Sequence, residues 1–573
     1  MLSKNDILKL NILSISSEGS GVSKTSEGVT VFVPNSAVGD ELLVRIVKVQ
    51  KTYAFGKVEE IITPSTDRIT PTCTVGTQCG GCVYCHISYS AELKAKEQRV
   101  KDAIERIAKL SVPINPILST NTLSRYRNKA MIPIGLDKNG KVIMGFYSKH
   151  SHRIIENDDC TLQPNCFLKA SQILKSFIES HSLTVYNEAS GKGLFRHLYL
   201  RLAEKTDQLM ITLVINGKEL PFEAELIDAF KNALPNLKSV ILNTNCEDTN
   251  VVLGKHSRTL FGEGFITDIL CSLKFMISPQ SFYQVNRNGA ELLYSKASEY
   301  ADLSGNEVLL DLYCGTGTIG LSMANKAKSL IGVEIVPKAI EDAKKNAKAN
   351  SIENARFICG DAAKAAETLR SEGLSPDVII IDPPRKGCDK SLIKTISDFN
   401  PKRVVYVSCD PATLARDLAV FAELGFKAQE ITPVDMFPRT AHVEAVALLS
   451  RQIDIHKMQL NSAPFEMIKS GEKTIELRLY DEKRQKIKIG DQILFTDNIT
   501  GETLNKTVKK LHQFDTFDEL YKSLPLLQCG YTSENIDKAT PYDMEQYYSV
   551  EEQNKYGVVG IELCDPNKPQ TKA

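Results

Sequence analysis

Cys409 stands in RVVYVSCDPATLARDL, directly after an apolar strand-like run and ahead of a helix that begins near Pro411. A thiol at such a junction is exposed at a sheet edge beside the positive end of a helix, which lowers its pKa and favours the nucleophilic thiolate. Free cysteine is more often a small buried hydrophobe, so its surroundings decide its role. VIIIDPPRKGCD carries Asp382 to another strand end, where two prolines stiffen the loop. Arg385, Lys386 and Arg416 are near in sequence and offer positive charge to a thiolate, although each reads equally as a solvated surface charge. Glu444, in HVEAVALL, reads by itself as a half-buried structural carboxylate beside a strand.

VLLDLYCGTGTIGL is a strand running into a glycine-rich loop and then a helix. Gly315, Gly317 and Gly320 spell G-x-G-x-x-G, which alone also fits a dinucleotide site. Asp311 lies inside the strand, Glu334 ends the next strand, and Asp361 closes the third. A carboxylate at the second position can accept both ribose hydroxyls, and one at the third can meet an adenine amino group. Nearly 310 residues precede the loop, whereas a dinucleotide fingerprint usually opens its domain. Acids at successive strand ends fit S-adenosylmethionine at the carboxyl edge of a parallel sheet.

The elements needed to hold these groups are legible. From about Ser278 to Arg451, short apolar strands (VLLDLYC, SLIGVEI, ARFICGD, DVIIIDPP, RVVYVSC, VEAVALLS) alternate with helices, the signature of a parallel sheet covered on both faces. Residues 1–63 read as short strands, with Val29, Val31 and Val33 alternating with Thr30 and Phe32, and suggest a small closed β-barrel. AELKAKEQRVKDAIERIAKL predicts a helix over 91–110, with Leu93, Val100, Ile104 and Ile107 on its apolar stripe. Residues 112–270 look mixed, with strands at Lys141–Tyr147 and Gln208–Ile215 and a helix over Phe167–Glu179. The expected organisation is multidomain α/β with boundaries 1–63, 64–270, 271–452 and 453–573.

The 573 residues carry 70 basic and 70 acidic side chains, and 24% are charged, which excludes disordered and low-complexity classes. From Ile453 onward 16 basic side chains face 20 acidic ones, so the mild positive excess lies in 1–452, where a polyanion would be held. No apolar run approaches a membrane span, and the N-terminus has no uninterrupted apolar block, so a cytoplasmic chain without membrane partners is expected. Fourteen cysteines in such a compartment read as metal ligands, nucleophiles or core residues rather than disulfides. Cys73, Cys79, Cys82 and Cys85 cluster in CTVGTQCGGCVYCH and by themselves permit a zinc site.

SFYQVNRNGAELLY, DLYCGTGTIGL, IIIDPPRKG, VSCDPATLARDL and FPRTAHVEAVALL occur in the order seen in the RNA uracil-C5 methyltransferases, and residues 1–63 resemble the TRAM domain of the rRNA-modifying members. The resemblance covers about residues 1–452. It implies an OB-like barrel, a class I Rossmann-like catalytic domain, Cys409 as nucleophile toward carbon 6 of uracil, and Glu444 as acceptor of the carbon-5 proton. It implies S-adenosylmethionine on Gln284, Tyr313, Glu334 and Asp382, alongside Asp311, Gly315, Gly317 and Asp361 from the strand-end pattern. Asp410 departs from the family, which more commonly has asparagine after the nucleophile. The resemblance also implies a [4Fe–4S] cluster on Cys73, Cys79, Cys82 and Cys160, with Cys85 a non-ligand; zinc is the alternative, since thiolates accept either.

Tyr126-Arg127-Asn128-Lys129 and Phe195-Arg196-His197, with Arg201, join basic and aromatic side chains; Arg127, Asn128, Lys129 and Arg196 are the candidate RNA contacts. The segment MQLNSAPFEMIKSGEKTIELRLY, with YGVVGIEL near the end, resembles the ASCH domain, a PUA-like barrel. Its motif here is Lys473, Thr474, Glu476 and Arg478. Some small relatives hydrolyse acetylated cytidine with Lys and Thr, and Glu476 stands where their second Thr would be, so an auxiliary RNA-binding role is expected. The leading reading is a monomeric methyltransferase of uridine in 23S rRNA. A tRNA enzyme and a non-catalytic RNA chaperone are the alternatives; tRNA-modifying relatives commonly lack both the barrel and the cysteine cluster.

Overall fold

The computed structural model describes residues 2–149 and 151–565. The chain divides into two compact units, Met1–Arg451 and Gln452–Ala573.

Alternating apolar residues build the first sheet. Its six strands lie in the order Ile7–Asn11, Glu41–Val49, Tyr53–Thr63, Thr30–Val33, Gly21–Lys24, Ser14–Ile15. Val31, Val33, Leu42, Val44, Ile46 and Ala54 point inward and are fully buried. A second, seven-stranded sheet runs from His256–Phe261 through Leu237–Thr244, Gln208–Ile215, Phe195–Ala203, Lys129–Leu136 and Val142–Tyr147 to Ile154–Glu156. Helices Asn165–Ser180 and Glu223–Ala233 bury Phe167, Leu174, Leu226 and Phe230 in the core it shares with them.

The sheet that positions the chemistry has seven strands in the order Ala355–Cys359, Ser329–Glu334, Val308–Leu312, Val378–Ile381, Arg403–Ser408, Glu444–Arg451, Phe426–Val434. The first five are parallel; Glu444–Arg451 runs antiparallel to both of its neighbours, so the edge strand Phe426–Val434 runs in the direction of the first five. Strand order reverses at Val308–Leu312, so the crevice at its carboxyl end is the expected ligand site of a doubly wound sheet. Near-continuous Val, Ile and Leu fill both faces, since helices cover each.

The helix read as 91–110 spans Tyr89–Ala103 and ends in one wide turn with i→i+5 bonding, Ile104–Ala108. Val100 and Ile104 are buried as expected, but Leu93 is only partly so and Ile107 is 48% exposed. The wide turn rotates the last residues out of phase. The buried face holds Glu92 and Lys96 instead, because both are ion-paired there.

In the second unit, five strands lie in the order Ile455–Leu460, Gln492–Asp497, Thr503–Phe514, Val558–Cys564, Ile475–Leu479. Phe465, Phe495, Ile493 and Ile561 form its core. Among the described residues no helix is long and apolar enough to cross a membrane.

Candidate active site

The glycine loop opens at Tyr313 and Gly315, whose φ values of 64° and 54° lie in the left-handed region, and Gly317 follows at 81°. Asp311 is buried at the end of its strand and accepts a hydrogen bond from the Gly320 amide at 2.9 Å. A Cβ at Gly320 would stand 2.7 Å from that Asp311 oxygen, so glycine is required. Asp311 therefore braces the loop from beneath. Burial pushes its carboxyl up to about 8, with the charges of Asp382 and Glu334 adding to the effect. Glu334 accepts from the amides of Gly315 (3.2 Å) and Val336 (2.9 Å), and Asp361 caps the helix Ala362–Ser371.

The loop start and the next two strand ends open onto one cleft of about 810 Å³. Tyr313, Gly315, Glu334, Asp361 and Asp382 line it from the sheet edge, and Gln284 from the neighbouring loop. Asn128 holds that loop, donating from Nδ2 to the Gln284 carbonyl and from its amide to the Val285 carbonyl, each at 2.8 Å. Cys409 and Glu444 line the same cleft, together with Arg127, Lys129, Arg385 and Lys386. Asp311 and Gly317 lie behind its wall rather than on it.

Cys409 is half-buried, and its thiol is pushed up to about 11. Burial is the main cause; the charges of Glu444, Asp382 and Asp410 add to it, and Arg385 opposes. This reverses the expectation of a lowered thiol pKa. The helix Pro411–Glu423 does start beside the thiol, but the Asp410 carboxylate accepts from the amides of Ala412 (2.8 Å) and Thr413 (3.3 Å) and cancels its positive end. Glu444 is almost fully buried, and burial followed by the Asp382 charge raises it to about 8. Burial lifts Asp382 to about 7. Arg416 is spent on Asp417 and the Lys386 carbonyl.

The segment before Glu444 brings Phe437 and His442 into the cleft, which residue-type reasoning did not single out even though both fall in the FPRTAHVEAVALL motif. Burial lowers His442 to about 4, so it is neutral near pH 7. This segment is pinned by the helix Tyr89–Ala103 and the residues before it. Lys96 donates to Glu92 and Asp435 at 2.7 Å each and to the Phe437 carbonyl at 3.1 Å, with all three charged side chains fully buried. Arg99 donates to the Ala441 carbonyl at 2.7 Å, and Tyr126 to that of Pro438 at 2.8 Å. Arg439, at φ 70°, donates its amide to Glu92 and its guanidinium to the Ile87 carbonyl, and its own carbonyl accepts from Val83 and Tyr84.

The remaining sites divide. Lys129 faces the cleft and is lowered to about 8, by burial first and then by Arg201 and Arg127. Asn128 is buried in its loop contacts, and Arg196 is 6% exposed. Arg196 donates to the carbonyls of Asn245 and Glu247 and stacks on Tyr186 at 4.2 Å. The donors of both are spent on backbone carbonyls of neighbouring loops. Phe195 and Arg201 are buried, and His197 is partly buried.

Cys73, Cys79, Cys82, Cys85 and Cys160 share one neighbourhood: burial pushes the Cys82 thiol up, and the charges of the other four add to the shift. Among the described residues no group of three or more His, Cys, Asp or Glu side chains is close enough to hold a single metal ion. Cys85 packs against the turn at Gly76, and Arg125 holds the Cys160 carbonyl at 2.7 Å. In the second unit Glu476 is buried between Lys473 (2.8 Å) and Arg478 (2.9 Å), which also meets Tyr548.

A family profile described as tRNA (uracil-5-)-methyltransferase matches residues 88–452, with a TRAM domain profile on 4–58 and an ASCH domain profile on 458–567. The chain belongs to the tRNA (uracil-5-)-methyltransferase family. It is an S-adenosylmethionine-dependent RNA methyltransferase flanked by TRAM and ASCH domains. An uncharacterized RNA methyltransferase of Clostridium tetani is 46% identical over 447 residues, covering 78% of this methyltransferase and 97% of that protein. One of Bacillus cereus is 44% identical over 449 residues, with 78% and 97% covered. The methyltransferase fold is similar to the crystal structure of Pyrococcus abyssi tRNA (uracil-54, C5)-methyltransferase in complex with S-adenosyl-L-homocysteine, with TM-score 0.62 and 27% identity over 77% of this chain and 100% of that one.

Proposed function

We propose that the enzyme methylates carbon 5 of a uridine in 23S rRNA through a covalent bond between Cys409 and carbon 6. The observation that carries this reading is that Cys409, Glu444 and the strand-end acids Glu334, Asp361 and Asp382 line one cleft. Carbon 5 of uracil is a poor nucleophile until a thiolate adds at carbon 6 and the ring electrons become an enolate. Carbon 5 then forms the new carbon–carbon bond. Glu444 takes the carbon-5 proton, the ring double bond re-forms, and the sulfur–carbon bond breaks to return the thiolate. S-adenosylmethionine, when bound, would supply the methyl group and a sulfonium positive charge, the sulfonium–methyl bond breaking to leave the neutral thioether S-adenosylhomocysteine.

With a thiol near 11 and a carboxyl near 8, both groups are protonated at neutral pH. Positive charge in the cleft lowers both, and Arg385 already acts in that direction on each. The thiol, half-open to solvent, loses its proton before attack. A buried Glu444 then becomes a base matched to near-neutral pH. The uridine must leave its stack to reach Cys409, and Arg127 and Lys129 at the cleft offer positive charge to its phosphates.

The N-terminal TRAM domain and the cysteine-rich segment favour rRNA. The tRNA substrate named for the family and for the Pyrococcus neighbour favours tRNA as the second reading. Mapping 5-methyluridine in rRNA and tRNA from cells with and without the gene separates them: loss confined to tRNA overturns the rRNA assignment. Cys73, Cys79, Cys82 and Cys160 are assigned to a [4Fe–4S] cluster. Soft sulfur donors in one neighbourhood suit it. Iron and acid-labile sulfide in anaerobically purified protein test this, and stoichiometric zinc instead would refute it.

A further inference from the structure

On the N-terminal six-stranded sheet, strand alternation places three aromatic rings outside. Thr30–Val33 pairs in parallel with Tyr53–Thr63, setting Phe32 beside Phe55 and Thr30 beside Tyr53. Val31, Val33 and Ala54 occupy the inward positions between them and are fully buried. Tyr53 and Phe55 are each 36% exposed. The rings touch: Phe32 to Tyr53 at 5.7 Å and 79°, Phe32 to Phe55 at 5.8 Å and 37°, Tyr53 to Phe55 at 5.5 Å and 85° between centroids and planes.

Lysines frame this patch. Lys48 pairs in register with Phe55 from one neighbouring strand, and Lys24 with Thr30 from the other. Lys57 follows Phe55 on the outer face of the same strand. The nearest outward acid along that strand, Glu59, is held by Arg45 at 2.8 Å, and Glu41 by Lys9 at 2.7 Å. Among the described residues Lys24, Lys48 and Lys57 form no ion pair. Three large rings left partly in water serve no core, since Val31, Val33, Leu42, Val44 and Ile46 already fill it.

We propose that Phe32, Tyr53 and Phe55, with Lys24, Lys48 and Lys57, form a platform that binds an unpaired stretch of RNA by stacking its bases on the rings and its phosphates on the lysines. The proposal rests on RNA being the substrate but adds a contact outside the catalytic cleft. Every unpaired base has a π-face, so the platform tolerates sequence, whereas paired bases cannot lie on it.

The test uses the full-length protein and a labelled single-stranded RNA of mixed sequence, with a duplex of equal length beside it. Phe55→Ala is expected to weaken single-strand binding about tenfold or more and leave duplex binding unchanged. Lys24→Gln and Lys48→Gln are each expected to reduce the salt slope of single-strand binding by about 0.7. The chain has no tryptophan, so Phe55→Trp supplies a unique reporter that also keeps the site filled. Its fluorescence is expected to be quenched by the single strand. Single-strand affinity within twofold of wild type in Phe55→Ala, or an unquenched Phe55→Trp at saturating RNA, overturns the proposal. A change in self-association in place of RNA affinity also overturns it, by making the face an interface between copies. If wild type binds the single strand but methylates no uridine, the methyl-transfer reading fails while the platform stands. If it methylates and Phe55→Ala binds normally, the platform alone fails.

Discussion

Replacing Lys96 by methionine tests how the cleft is held. Lys96, Glu92 and Asp435 are fully buried, and the ammonium sits 2.7 Å from a carboxylate oxygen of each acid. Lys96→Met keeps most of the side-chain volume but leaves two buried carboxylates with one fewer cation; Arg439 still approaches Glu92 at 3.5 Å. Breaking a buried pair in this way costs about 3–5 kcal/mol. Glu92 is already held above its usual range by burial, with Lys96 pulling it down, so removing Lys96 raises it further. A carboxyl whose folded pKa is raised contributes stability that is present at acid pH and lost as pH rises through the folded value. The deficit of Lys96→Met against wild type is therefore expected to grow between pH 5 and pH 8, and Lys96→Met/Glu92→Gln/Asp435→Asn to recover most of it. Denaturant unfolding followed at both pH values reads this directly. Because Lys96 also holds the Phe437 carbonyl, methyl transfer should fall more than S-adenosylmethionine affinity. A deficit under about 1 kcal/mol, or one independent of pH, refutes the reasoning.

Glu444→Gln should accumulate a methylated protein–RNA adduct, seen on denaturing gels, because nothing removes the carbon-5 proton. Since burial raises Glu444 to about 8, wild type loses stability as pH rises from the free-carboxyl range to that value and Glu444→Gln does not, so their Tm difference should shift in favour of the variant between pH 5 and pH 8 and level off above it. Gly320→Ala places a Cβ 2.7 Å from Asp311 and 2.9 Å from Leu330. It should cost about 1–3 kcal/mol and weaken S-adenosylmethionine binding by calorimetry. Asp410→Asn keeps a helix cap but removes a charge that raises the Cys409 thiol, so the pH midpoint of Cys409 alkylation should fall.

Local pattern carried much of the site. The glycine loop, Asp382, Cys409 and Glu444 stand at strand ends marked by Val- and Ile-rich runs, and a parallel sheet brings such ends to one edge. What stayed hidden depends on partners distant in the chain. Glu92 and Lys96 look like a solvated helical pair until Asp435 is brought against them. The direction of the Cys409 shift is set by burial and by carboxylates on two other strands, which outweigh the nearby helix end. Arg196 and Asn128 have the right residue types for RNA, yet their donors satisfy loop carbonyls, and that demand is invisible before the loops are placed. The outer-face aromatics were legible only as strand alternation, since their grouping needs the parallel register of Thr30–Val33 on Tyr53–Thr63.

Reaction of the enzyme with S-adenosylmethionine and RNA containing 5-fluorouridine tests the central claim most directly. Fluorine at carbon 5 cannot leave as a proton does, so the ring stays bonded to sulfur. The account predicts a complex that survives denaturation, requires S-adenosylmethionine, maps by peptide mass to Cys409, and is missing from Cys409→Ala that still binds the cofactor. No complex from protein that binds both cofactor and RNA, or a bond to any other residue, would contradict it.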